Sequence, residues 1–131
     1  MDSLISLFKA EPFKKEYEIN PKVKITLRML SRKEYDDVMS RANISAEDIV
    51  SKEALLRRPV LGYALQEING INIKDIPEVK SFLDKNPNLP VNLAVEQVLG
   101  DFDAFVIDAM YGFYNKLAED DEKNRAELKK D

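Results

Sequence analysis

The sequence predicts a single, compact, mostly helical domain of the α+β class, with an N-terminal β-hairpin followed by a bundle of four to six helices. Apolar and polar residues alternate with a period of two near the start of the chain, as in a half-buried strand. Farther along, helix-start signals recur and apolar residues are spaced by three and four. The 131 residues are 44% hydrophobic and 34% charged, a composition typical of one globular domain. We assign about 13–30 to the hairpin, 31–118 to the bundle, and 119–131 to a charged C-terminal helix extension or tail.

The hairpin is predicted by alternation on both sides of Asn20-Pro21. Charged or polar residues separate the apolar ones, which are Tyr17, Ile19, Val23, Ile25, Leu27 and Met29. One face of the hairpin should therefore be buried. Ahead of it, the apolar stretch 2–10 predicts one or two helical turns that end before Pro12.

Ser31 and Glu34 have the spacing of a capping box and predict the start of a helix over about 32–42. The apolar spacing within that helix places four side chains inward, namely Tyr35, Val38, Met39 and Ala42.

A second helix is predicted to start at Ser45, and its apolar stripe continues to Ile68. Pro59 either kinks this helix or begins a new one. Asn69-Gly70 should end it, because glycine tolerates the left-handed conformation of a helix cap.

The segment 70–73 is short and extended and is a candidate third strand. Asp75 and Pro77 predict another helix start, with Val79, Phe82 and Leu83 inward. The proline- and asparagine-rich run 86–90 predicts a loop. From Val91 onward the pattern is helical, and Gly100 divides it into two helices.

The helix predicted over about 101–118 has two apolar stripes on adjoining faces. One contains Phe102, Phe105, Val106, Ala109, Met110, Phe113 and Leu117, and the other contains Ile107, Tyr111 and Tyr114. A helix that is apolar on more than one side is either central to the core or covered by a partner. Both interpretations stay open at this point.

The composition excludes most catalytic machinery. The chain has no His and no Cys, and its four Gly are scattered. The commonest general base, the thiolate nucleophile and the usual zinc ligands are therefore missing, and the glycines cannot form a phosphate-binding loop. We expect a non-enzymatic protein with no catalytic residues, no metal site and no cofactor.

Asp101, Asp103 and Asp108 are the best candidates for a cation site. On a helix, however, the first two point about 200° apart. Asp101 is better explained as a helix N-cap, with Asp103 favoured by the dipole of the first turn.

The net charge of −4 is unevenly distributed, since residues 1–33 hold eight basic and four acidic residues. The overall negative charge makes nucleic-acid binding an unfavourable hypothesis. The basic segment either meets an acidic partner surface or is a solvated strand edge that discourages pairing. The N-terminus lacks the pattern of a signal peptide and the chain has no membrane-length apolar run, so we expect a cytoplasmic protein that does not enter a membrane.

Three stretches carry a family resemblance: KITLRMLSRKEY at 24–35, LRRPVLGYALQEING at 56–70 and DAMYGFYNKL at 108–117. In this order they resemble small tail-assembly chaperones and baseplate-assembly proteins of tailed bacteriophages. The resemblance implies a protein of the infected bacterial cytoplasm that binds a structural tail protein, either the tape-measure protein or the baseplate hub. The alternatives are a structural tail or baseplate component of the virion and a small regulatory nucleic-acid-binding protein.

Aromatic side chains are the candidate partner-binding residues, because a chaperone of this kind covers an apolar segment of its client. Those on the last helix are Phe105, Tyr111, Phe113 and Tyr114, and Tyr63 begins the second candidate segment, Tyr63–Ile68. The competing interpretation is that both helices fill the core. An exposed last helix would also be compatible with a homo-oligomer.

Overall fold

The computed structural model describes residues 12–43 and 49–129. In chain order the elements are β1 (Lys14–Asn20), β2 (Val23–Arg28), α1 (Arg32–Asn43), α2 (Ile49–Ala64), β3 (Leu65–Ile68), β4 (Ile71–Asn72), a 3-10 turn (Ile73–Asp75), α3 (Pro77–Lys85), α4 (Val91–Leu99) and α5 (Ala104–Lys129). The predicted class, α+β and mostly helical with an N-terminal hairpin, is confirmed. The turns predicted at 2–10 and the helix start predicted at Ser45 lie outside the described residues.

The strands of the described chain form one antiparallel sheet in the order β1-β2-β3-β4. Tyr17 of β1 pairs with Ile25 of β2, which in turn pairs with Ile68 of β3. Side chains directly opposite each other share a face, so this register places three apolar residues on the same side. Helix α5 packs on that side, where the ring of Phe113 stacks on Tyr17 with centroids 5.1 Å apart.

The predicted helix through Ile68 is wrong, because α2 ends at Ala64 and Leu65–Ile68 is a strand. Pairing with β2, distant in sequence, overrides the local helical pattern. The backbone N–H of Asn69 donates to the carbonyl of Lys24 at 2.8 Å, and its side-chain oxygen accepts from the Lys24 N–H at 2.8 Å. Asn69 and Gly70 have φ values of 52° and 78°, the left-handed turn that joins β3 to β4. The candidate strand at 70–73 is thus β4 and the first residue of the 3-10 turn.

Helix α1 begins with the predicted capping box. The Glu34 N–H donates to Ser31 Oγ at 3.2 Å, and the Ser31 N–H donates to Glu34 Oε1 at 2.8 Å. Val38 is completely buried as predicted, but Tyr35 and Met39 are 37% and 41% exposed.

The inward placement of those two residues was wrong because polar side chains occupy the inner side of α1. Glu34 binds Arg28 and Arg41 binds Glu96, so the inner stripe runs through 34, 38 and 41. Tyr35 and Met39 are therefore partly exposed, although a side-chain hydrogen bond still joins Tyr35 to the buried Tyr114.

Helix α5 begins at Ala104, and its N-cap is Asp103, whose Oδ1 accepts from the Phe105 N–H at 2.8 Å. The assignment of this cap to Asp101 was wrong by two residues, because Asp101 lies in the turn after α4. Gly100 separates α4 from α5 as predicted, and α5 continues as a helix through the charged segment to Lys129. No helix in the described part of the chain combines the length and apolar character needed to cross a bilayer.

Two helical glycines should respond oppositely to alanine. A Cβ at Gly112 of α5 would meet no atom within 4 Å, so Gly112→Ala should raise the free energy of unfolding by up to about 1 kcal/mol through helix propensity. A Cβ at Gly62 of α2 would lie 2.7 Å from the carbonyl oxygen of Asn92, so Gly62→Ala should lower it by roughly 1–3 kcal/mol. Urea unfolding measures both, and equal effects of the same sign would contradict the packing described.

The Glu34 carboxylate should give α1 a pH-dependent anchor. Its two oxygens each accept from Arg28 at 2.7 Å, and this interaction lowers the pKa of Glu34 below the ordinary 4.5. Because the folded-state pKa is lowered, the stabilisation is complete above about pH 4.5 and is lost as the pH falls through the folded-state value. Glu34→Gln should therefore cost about 1 kcal/mol at neutral pH and progressively less in acid.

Urea unfolding of both chains between pH 3 and 7, values that bracket ordinary carboxyl titration, measures this difference. Glu16→Gln, at an exposed position of β1, is the matched control and should change stability little. A Glu34→Gln deficit that stays constant across the range would argue against an ionic anchor.

Candidate functional site

An open apolar groove of about 930 Å³ is the candidate site. Its walls come from β3, the 3-10 turn, α3, α4 and the turn before α5. The apolar side chains that line it are Leu65, Ile68, Ile73, Ile76, Val79, Phe82, Val95, Val98, Leu99 and Phe102. Its volume lies within the range of known ligand sites, whose linings are also mostly hydrophobic.

The floor and the rim of the groove differ in burial. Val79, Val95 and Leu99 form the floor and are at most 1% exposed, so they belong to the protein's own core. Ile68, Ile76, Phe82 and Phe102, which we call the rim, are half-buried and pack against that core from outside. An occupant of the groove would therefore contact the rim first and would remove it from water.

Charged side chains lie at the margins of the groove. Glu78 and Lys85 project from α3, and Asp101 lies just after α4. All three are exposed. A binding partner would therefore meet apolar side chains at the centre of the groove and charges at its ends.

The opposite side of α4 is anchored by a buried carboxylate. Both oxygens of Glu96 accept from Nη1 of Arg41 at 3.0 Å, and Glu96 is 8% exposed. Nη2 of Arg58 donates to the backbone carbonyl of Glu96 at 2.7 Å, and this carbonyl also accepts from the Gly100 N–H at 3.1 Å. These bonds hold α4 against α1 and α2, so one wall of the groove is formed before any ligand binds.

A second cleft, of about 530 Å³, lies near α1, Tyr63 and the start of α4, and several of its lining residues are charged. Asp37 in this cleft accepts from the Tyr63 hydroxyl at 2.7 Å and lies 3.2 Å from Arg41. Burial and the bond to Asp37 raise the pKa of Tyr63 to about 12. A phenol that ionises so far above neutrality is poorly matched to proton transfer near pH 7. We interpret this cleft as a structural network.

The three carboxylates considered for a cation have separate roles in the structure. Asp103 caps α5, Asp108 binds Arg57, and Asp101 lines the groove. Among the described residues, no group of three or more potential ligands converges on a point where a metal ion would fit.

The five predicted partner-binding residues do not form one surface. Phe105 is 85% exposed in the first turn of α5, whereas Tyr114 is 2% exposed and belongs to the core. Phe113 and Tyr111 are half-buried, and Tyr63 is half-buried with its hydroxyl bound to Asp37. None of the five lines the apolar groove.

The double apolar character of α5 is explained by its packing. Ile107, Met110, Tyr114 and Leu117 face the core, and Val106 and Phe113 pack beside them. The predicted surplus of apolar face thus reduces to Phe105.

The groove was missed in the sequence because its walls come from separate elements. The signal that was present is the apolar spacing of Val79 and Phe82 in one short helix and of Val95, Val98 and Leu99 in the next. Two short amphipathic helices joined by a five-residue loop predict adjacent apolar faces, but not that those faces remain open.

Comparisons of this chain with known protein families, with curated proteins and with solved structures found no match.

Substitution of the aromatic residues of α5 should separate surface from core. Phe105→Ala should change the free energy of unfolding by less than about 0.5 kcal/mol, because an exposed ring gains little from folding. Tyr114→Ala should lower it by roughly 3–5 kcal/mol, because it leaves a cavity beneath the sheet. Chemical denaturation of both variants tests this, and a large loss at Phe105 would mean that the ring is buried in solution.

Proposed function

We propose that this protein is a non-enzymatic assembly factor that holds an apolar segment of a partner protein in the groove between α3 and α4. The observation that carries the proposal is the half-buried rim of Ile68, Ile76, Phe82 and Phe102 around an apolar floor. Contiguous exposed apolar surface bordered by charges is typical of protein-binding sites on soluble proteins.

The proposed partner is a structural protein of a bacteriophage tail, either the tape-measure protein or the baseplate hub. This choice rests on the resemblance of 24–35, 56–70 and 108–117 to tail-assembly chaperones and baseplate-assembly proteins. The proposed role is that of a chaperone, which shields the apolar segment until the segment reaches its place in the tail.

Two features support binding of a protein segment. The wall formed by α4 is held by Arg41 and Arg58 through Glu96, so binding does not have to build the site. Phe105 lies three residues beyond Phe102 and is fully available for a further contact with the same partner. Aromatic anchors of this kind dominate many protein interfaces.

A charge placed in the groove should weaken partner binding strongly without unfolding the protein. Ser81 of α3 lines the groove and is exposed, so Ser81→Arg adds a long cationic side chain and removes no core atom. Co-expressed with the tape-measure protein or baseplate hub of the same phage, wild-type protein should keep the client soluble and co-purify with it. Ser81→Arg should reduce co-purification by about tenfold or more, since desolvating an unpaired charge costs several kcal/mol.

Ser40→Arg provides the matched control, because Ser40 is an exposed helical serine that lines no part of the groove. Its binding and its urea unfolding should equal those of wild type. Equal losses in both variants would indicate a charge effect and not occupation of the groove.

The chaperone role further requires that finished particles lack the protein. Its stoichiometric presence in purified virions would make it a tail or baseplate component instead.

A further inference from the structure

We propose that the segment held in the groove is an amphipathic α-helix of fixed polarity, with its N-terminus near Glu78 and its C-terminus near Lys85. This inference rests on the proposed function, since it specifies the form and direction of the segment that the groove receives. The opposite charges near the two ends of α3 and the helical side chains that form most of the lining carry the inference.

The charges at the ends of α3 have opposite signs. Glu78 and Lys85 both line the groove and are seven residues apart on one helix. Seven residues are about two helical turns, or roughly 10.5 Å along the axis, and they place both side chains on the same face. The groove is thus negative near the start of α3 and positive near its end.

Asp101 adds a second negative charge to the lining of the groove. It lies just beyond the end of α4, which the loop 86–90 joins to α3. Glu78, Lys85 and Asp101 are all exposed, so each can interact with an occupant of the groove.

The groove favours a helix over an extended strand because its lining consists mainly of helical side chains. An extended segment would bury backbone N–H and C=O groups beside Val79, Phe82 and Val98, which offer them no hydrogen bonds. A helix satisfies those groups internally and presents an apolar stripe, as in other helix-in-groove complexes. Its N-terminus carries about half a positive charge and its C-terminus half a negative charge, which match the two ends of the groove.

Two synthetic peptides of about 14 residues, some four helical turns, test the polarity. Both are acetylated and amidated and carry the same Leu and Phe residues at helical i, i+3, i+4 and i+7 spacing. The first has Lys in its first turn and Glu in its last, and the second has these charges exchanged. The full-length protein should bind the first peptide about three- to tenfold more tightly in a fluorescence-anisotropy titration at low salt.

The intrinsic helix stability of the peptides acts against this result. Glu near the N-terminus and Lys near the C-terminus stabilise an isolated helix, so the second peptide is the more helical in solution. Tighter binding of the first peptide therefore cannot arise from its own helicity. The double variant Glu78→Lys/Lys85→Glu should reverse the preference, because it exchanges the two charges along the groove. Both positions are exposed, so the variant should fold, and its circular dichroism spectrum checks this.

The outcomes separate this inference from the proposed function. Equal affinity for both peptides, each abolished by Ser81→Arg, would overturn the polarity and leave the groove as a protein-binding site. Tight binding of an extended peptide with no induced helical signal would overturn the helix. Concentration-dependent self-association that Ser81→Arg removes would assign the groove to a second copy of this chain, which would overturn the inference. If neither peptide binds, but wild-type protein captures the tail client and Ser81→Arg does not, only this inference fails.

Discussion

The crossing of α2 over α4 at Gly62 is the contact on which the rest of the structure depends. A side chain at this position would overlap the backbone of Asn92 and the side chain of Glu96, so the two helices can approach this closely only at glycine. Arg41 and Arg58 then hold α4 in place through Glu96. With one side of α4 fixed against α1 and α2, its other side is left to line the groove. Removing either Arg41 or Glu96 would leave the charge of the other without its partner, so the two residues depend on each other.

The sheet and α5 form the other half of the core, and their packing explains why α5 is not an open apolar surface. Phe113 of α5 stacks on Tyr17 of β1. Oδ2 of Asp120, also on α5, lies 3.1 Å from Nζ of Lys15, also on β1. Tyr114 lies beneath the sheet, where burial raises the pKa of its hydroxyl and the Leu30 N–H approaches it. A small domain needs large side chains to cover a four-stranded sheet, and this helix supplies them.

Local interactions were predictable from the sequence, and long-range ones were not. The period-two alternation, the Ser31–Glu34 capping box and the break at Gly100 each depend on neighbouring residues, and the structure has all three. The segment Leu65–Ile68 was assigned to a helix because its pairing with β2 joins residues about 40 apart, which no local pattern records. The candidate site was missed for the same reason, since Ile68, Phe82 and Phe102 meet only in the folded chain. Of the residues predicted to contact a partner, Phe105 alone is mostly exposed.

The division of the groove into a buried floor and a half-buried rim bears on how a chaperone could bind tightly and still release its client. Val79, Val95 and Leu99 are covered by the protein's own side chains, so the fold does not require an occupant. Binding gains free energy chiefly when the exposed part of the rim is removed from water. Because the rim is already half-buried, this apolar area is small, and the affinity is correspondingly limited. A client that binds the folded chain and not the unfolded chain also stabilises the fold by mass action. That stabilisation disappears when the client leaves. In the proposed function, a modest rim on a complete core therefore favours transfer of the client to the growing tail over permanent association.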